Sequence, residues 1–218
     1  MKKYLALIIV CLMAAALTGC GDSGNKDNYY AGNVVAGGWQ RAESPVVPDE
    51  VSALLDKALE NIDGVYYIPV AYIASQVVAG KNHKLLCRVG PVVPEPEEVY
   101  EIVDLYEDLQ GNAKITQTES FEGNTGISDD PGAWAQSESP VITDAEMAVF
   151  NTAVAGLTGE GYDPIAIAAT QVVEGTNYCF LCEETVATPN TTDDYVLVYI
   201  FENSEGGVEI TDVANLVE

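Results

Sequence analysis

The side chains able to do chemistry are few. The chain has one histidine, His83, and five cysteines. Cys179-Phe180-Leu181-Cys182 is a C-x-x-C pair, a spacing used for metal binding and dithiol redox chemistry. Its surroundings read as a strand, where residues three apart point to opposite faces. That geometry is poor for a shared metal or a disulfide. His83 and Cys87 invite a base–nucleophile reading, but four residues of strand separate them by about 13 Å, beyond hydrogen-bond reach. With no second histidine, no histidine-based metal site can be built within the chain. The acidic runs Asp129-Asp130, Glu183-Glu184 and Asp193-Asp194 lack the EF-hand pattern and read as a solvated acidic face. No phosphate-binding glycine loop or zinc-protease motif is present. The sequence therefore predicts no catalytic residue, no metal site and no cofactor, and the protein reads as something other than an enzyme.

Charge narrows the partners. Nine Lys and Arg against 34 Asp and Glu give a net charge of −25. Lys114 is the last basic residue. Nothing could neutralise a row of phosphates, which excludes nucleic acid as a partner. Apolar residues make up 48% of the chain, enough for a core. At the N-terminus, Lys2-Lys3 precede an apolar run from Leu5 to Leu17. The run is too short to span a membrane and has the length of a signal h-region. It ends in Leu17-Thr18-Gly19-Cys20, which resembles a bacterial lipobox. The resemblance implies cleavage before Cys20, acylation of that cysteine and anchoring to a lipid bilayer outside the cytoplasm, at the cell membrane or outer surface. Residues 1–19 are then a lipoprotein signal peptide and 20–36 a flexible tether, rich in Gly, Asn and Asp.

The elements that must position any site come in two copies. Shifted by 95 residues, the chain aligns with itself without a gap, with 28 of 83 positions identical over 37–119. Gly37-Gly38-Trp39 falls on Gly132-Ala133-Trp134, and Gln76-Val77-Val78-Ala79-Gly80 on Gln171-Val172-Val173-Glu174-Gly175. His83 falls on Tyr178 and reads as a surface aromatic position. Of the C-x-x-C pair only Cys182 has a counterpart, Cys87, and both read as buried packing thiols, with a bridge between the copies as the alternative. The repeat predicts domains at 37–118 and 132–218, folding separately, with a linker at 119–131 of turn-forming composition. In copy one, Val51, Leu54, Leu55, Ala58, Leu59 and Ile62 recur at helical spacing, with Gly64 as the stop. In copy two, Thr143 and Glu146 make a capping box, and Met147, Phe150, Val154 and Leu157 form the stripe. After each helix come β-branched and aromatic runs parted by turns. The predicted fold class is α+β: two tandem units, each one helix packed on an antiparallel sheet.

A glycine, then a helix, then a long strand running into Gln-Val-Val-x-Gly, twice over, resembles the cystatin family of cysteine-protease inhibitors. The resemblance covers both repeats nearly end to end. It implies two tandem cystatin-like domains. Three segments at one end of each sheet would form a wedge that fills the cleft of a papain-like protease. Carried over by position, the protease-binding residues are Gly37 and Gly38 in the trunk, Gln76, Val77, Val78, Ala79 and Gly80 in the first hairpin, and Leu109 and Gln110 in the second. Copy two supplies Gly132, Gln171, Val172, Val173, Glu174 and Gly175. Apolar residues at a hairpin tip favour a contact surface; the plainer alternative is a turn with Val77 or Val78 packed inward. The second hairpin departs from the family. Where many cystatins have Pro-Trp, this chain reads Asp108-Leu109-Gln110-Gly111 and Asn203-Ser204-Glu205-Gly206, which removes a large apolar anchor. The implied function is reversible inhibition of papain-like cysteine proteases by a surface-anchored lipoprotein. The alternatives are a non-inhibitory binding module for a peptide, glycan or protein, and an envelope spacer.

Overall fold

The computed structural model describes residues 37–186 and 194–217. The signal segment, the lipobox with Cys20 and the tether lie outside the described residues. The elements run β1 (Trp39–Arg41), α1 (Asp49–Leu59), β2 (Val65–Val78), β3 (Gly80–Pro91), β4 (Val99–Glu107) and β5 (Ala113–Ser120), then β6 (Ala135–Gln136), α2 (Asp144–Val154), β7 (Glu160–Val173), β8 (Gly175–Val186), β9 (Asp194–Asn203) and β10 (Val208–Ala214). They form two five-stranded antiparallel sheets, ordered β1-β2-β3-β4-β5 and β10-β9-β8-β7-β6.

This corrects the predicted fold class. Among the described residues the protein is mostly β, with two helices of 11 residues each, and is not a tandem of helix-on-sheet cystatin domains. A short strand before each helix, β1 or β6, pairs with the strand after it and adds a fifth strand to each sheet. The larger departure lies in what covers the sheets. Val51 and Leu55 of α1 pack on Tyr72, Leu85, Cys87, Val103 and Leu105, and Phe150 of α2 packs on Ile167, Phe180, Cys182, Val196 and Val198. Those are single faces. The other face of each sheet joins one shared cluster of sixteen buried residues, eight before residue 131 and eight after it. Ala71 and Ala74 of β2 meet Ala166, Ala168 and Ala169 of β7 there, and such small side chains let two sheets approach closely. The layers are therefore helix, sheet, sheet, helix, with the core divided among three clusters.

The expected linker is part of this packing. Phe121 is 2% exposed and Thr125 is 5% exposed. Phe121 bridges to Leu216, the Glu122 N–H donates to the Asn215 carbonyl, and the Val217 N–H donates to the Ser120 carbonyl. Arg41 of β1 reaches across to the Asp163 carboxylate and the Pro164 carbonyl of β7. The helix signals were mixed. Both bonds of the Thr143–Glu146 capping box are formed. Ile62 and Leu157, assigned to the buried stripes, lie beyond the helix ends and are exposed.

Candidate functional site

Three exposed segments meet at one end of the first sheet, and strand register brings them there. Trp39 pairs with Gln76, so the chain entering β1 runs beside the tip of the β2–β3 hairpin. Val78 faces Gly80 across that tip. Lys81 pairs with Glu107, which places the β4–β5 turn next to it. The tip is apolar: Val77 is 64% exposed, and Val78 and Ala79 are exposed beside it. Leu109, at the apex of the neighbouring turn, is 78% exposed. The second sheet repeats the arrangement with Val172 and Val173 exposed, Glu174 between the strands, and Ser204 in place of Leu109.

Side-chain hydrogen bonds lock these segments. The Gln76 amide donates to the Gly37 carbonyl at 2.7 Å, and its oxygen accepts from Asn82 Nδ2 at 2.6 Å. The second copy repeats both contacts, Gln171 to Gly132 at 2.8 Å and Asn177 to Gln171 at 2.7 Å. The trunk glycine and the hairpin of each copy are thus tied together by one glutamine. Asn82 and Asn177 follow the pentapeptide in both copies, and that identity is the sequence signal for a role that sequence reasoning did not assign them. Gly38 follows the trunk glycine and is half-buried. The Tyr106 hydroxyl donates to the Ala79 carbonyl at 2.6 Å. Phe201 stands at Tyr106's position in copy two and has no hydroxyl to give. Asp108 closes the β4–β5 turn by accepting from the Gln110 N–H, the Asn112 N–H and Asn112 Nδ2. Its bonds with Asn112 hold the Asp108 carboxyl below the usual carboxylate range.

The two wedges face opposite ways. Arg41 pairs with Ala74, four residues before Val78, yet contacts Asp163 and Pro164, about ten residues before Val173. Lys84, paired within the first sheet to Asp104, also lies over the Tyr195 ring near the start of β9. The hairpin end of one sheet therefore lies over the far end of the other.

The remaining chemical candidates resolve simply. Cys179 faces the shared cluster and Cys182 faces α2, so the C-x-x-C thiols do point to opposite faces. Cys87, Cys179 and Cys182 are free and buried. Burial pushes the Cys179 thiol up to about 12 and raises the other two as well. Among the described residues no group of His, Cys, Asp or Glu side chains is placed to hold a metal.

His83 corrects the sequence reading. It is 2% exposed rather than a surface aromatic, because its position in β3 points toward α1, as do Leu85 and Cys87. Burial lowers its pKa, with Lys81 adding to the effect and Glu107 and Glu50 opposing it. The sign of the consequence follows. Below about pH 6.5 the unfolded chain takes up this proton first. His83 therefore stabilises the fold above that pH, and the benefit is lost as pH falls toward the lower folded-state value. Melting temperatures of the wild type and His83→Gln at pH 7.5 and 5.5 test this. The wild type should lose more on acidification; equal losses would show that His83 accepts its proton freely in the fold.

No protein-family model matches this chain, and no curated protein sequence matches it either.

Proposed function

We propose that this protein is a reversible, non-covalent inhibitor of papain-like cysteine proteases, held to a membrane surface through acylated Cys20. One observation carries the reading. In both repeats a glutamine of the Gln-Val-Val-x-Gly hairpin bonds the trunk glycine, so the residues the cystatin resemblance assigns to protease binding sit together. A tip already locked by hydrogen bonds loses little entropy on binding. Its exposed valines offer apolar contact without presenting an extended peptide for cleavage.

Titration of the chain lacking its first 20 residues against papain, with a fluorogenic peptide substrate, tests the reading. Competitive inhibition is expected. Val77→Asp together with Val172→Asp should weaken it at least a hundredfold, since each change forces a carboxylate into an apolar contact. Val77→Asp alone should cost more than Val172→Asp alone, because only the first wedge adds Leu109 and the Tyr106 bond. As the wedges face opposite ways, saturation should take two protease molecules per chain. The missing tryptophan in the β4–β5 turn keeps a second reading open, a binding module that uses the same tips for another protein. Absence of inhibition by the folded wild type would favour that module. The anchor has its own test: Cys20→Ser should abolish incorporation of labelled fatty acid, and unchanged labelling would refute it.

A further inference from the structure

We propose that a cavity between α1 and the first sheet binds a small zwitterion with an apolar body, such as a free apolar amino acid or a dipeptide. The cavity adjoins the first hairpin tip, since Lys81 and Glu107 line it, but the proposal does not depend on the inhibitor reading. The cavity has a volume of about 400 Å³, within the size range of small-ligand sites. Val51 and Leu54 of α1 supply an apolar wall, and Tyr72 and His83 supply the opposite one.

His83 is the feature that asks for a ligand. Its Nδ1 lies 2.9 Å from the Tyr72 hydroxyl. We assign the phenol as the donor of this bond and Nδ1 as its acceptor. The hydrogen of the neutral imidazole is then on Nε2. That atom is buried and has no hydrogen-bond partner among the described residues; the Glu107 carboxylate stands 3.6 Å away, beyond bonding distance. An unpaired buried donor is costly, and an acceptor entering the cavity would satisfy it.

The lining charges specify the rest. Lys57 and Lys81 face Glu50 and Glu107 around the same space. A plain anion would meet two carboxylates and a plain cation two ammonium groups. A zwitterion can place its carboxylate on His83 Nε2 and Lys81 and its ammonium on Glu107, with its side chain against Leu54.

The second repeat shows what a closed version looks like. There Tyr178 replaces His83 and donates to Glu202 at 3.0 Å. Ile167 stands for Tyr72, and Thr152 and Thr176 stand for the two lysines. The same position in the fold keeps its polar group paired internally and carries no cationic side chain.

His83 is the chain's only histidine, so its ring proton gives one unambiguous nuclear magnetic resonance signal. The full-length chain would be titrated with leucylleucine, its N-acetyl form and its C-terminal amide. A saturable shift of the His83 signal is expected with the free dipeptide, with at least tenfold weaker binding for each blocked form. Lys81→Gln should weaken it at least tenfold. Ala53→Trp, at an exposed helix position lining the cavity mouth, should abolish it while leaving the melt cooperative. No shift at tens of millimolar would overturn the proposal and leave the cavity to water. Equal shifts from all three ligands, or binding untouched by both variants, would overturn it as well.

Discussion

Cut at Gly126, the two halves of the chain are expected not to fold alone, and to recover a cooperative melt only when mixed. The reason is the shared cluster. The first half would expose Val70, Ile73, Leu86, Tyr100, Ile102 and Phe121, all buried against the second sheet or its flanking segments. Burying such side chains is worth about 1.5–3 kcal/mol each. Six of them sum to roughly 9–18 kcal/mol, comparable to the whole stability of an ordinary domain, about 5–15 kcal/mol. Each half would also lose the strand-like bonds joining residues 120–122 to 215–217 and the contacts of Arg41 with β7. Circular dichroism and urea unfolding of each half, alone and in equimolar mixture, provide the measurement. A cooperative melt from either half alone would show that its sheet needs no partner, and the two-domain organisation expected from the repeat would stand.

The repeat itself was legible because alignment needs no structural knowledge, and the hairpins were legible because Gly80 and Gly175 end long β-branched runs. What the sequence concealed was the second face of each sheet. Helix α1 is visible as a stripe, and one helix suffices to cover one face of a sheet. Yet β2 reads Ile68-Pro69-Val70-Ala71-Tyr72-Ile73-Ala74, apolar without alternation, and such a run is the mark of a strand buried on both sides. Register shifts between Pro69 and Ala71 and between Tyr72 and Ala74 blurred the period further. The inter-sheet contact also leans on alanines, which carry little hydrophobic signal individually. His83 was misread for a related reason. It sits among Lys81, Asn82 and Lys84, a polar neighbourhood in sequence, and only the strand's alternation turns its ring toward the helix. The Gln76–Gly37 contact spans 39 residues. No local pattern announces such a bond, and only the recurrence of both residues in the second copy marks it.

Gly80→Ala is expected to lower stability by about 2–5 kcal/mol, and Gly175→Ala by a similar amount. Two costs add. Gly80 has φ +124° and Gly175 has φ +143°, values that residues with a Cβ avoid at a cost of about 1–2 kcal/mol. The added methyl also has no room. At Gly80 it would stand 2.3 Å from the Glu107 carbonyl oxygen and 2.9 Å from the Tyr106 ring. At Gly175 it would stand 2.3 Å from the Glu202 carbonyl oxygen and 2.8 Å from the Phe201 ring. A backbone oxygen cannot swing aside as a side-chain end can, so β4 or the hairpin must move, and such overpacking costs about 1–3 kcal/mol more. Gly111→Ala separates the two costs. Gly111 also has positive φ, at +76°, but an added Cβ there meets nothing within 4 Å. It should lose only the conformational part, about 1–2 kcal/mol. In a chain of this size each kcal/mol moves the melting temperature by roughly 2–4 °C. Gly80→Ala should therefore melt clearly below Gly111→Ala. Because the strand that must yield carries the Tyr106 bond to the Ala79 carbonyl, Gly80→Ala should also displace the apolar tip and remove the first wedge from any papain titration. Equal melting temperatures for the Gly80 and Gly111 variants would mean that the hairpin accommodates the methyl, and the close approach of Glu107 would then carry no energetic weight.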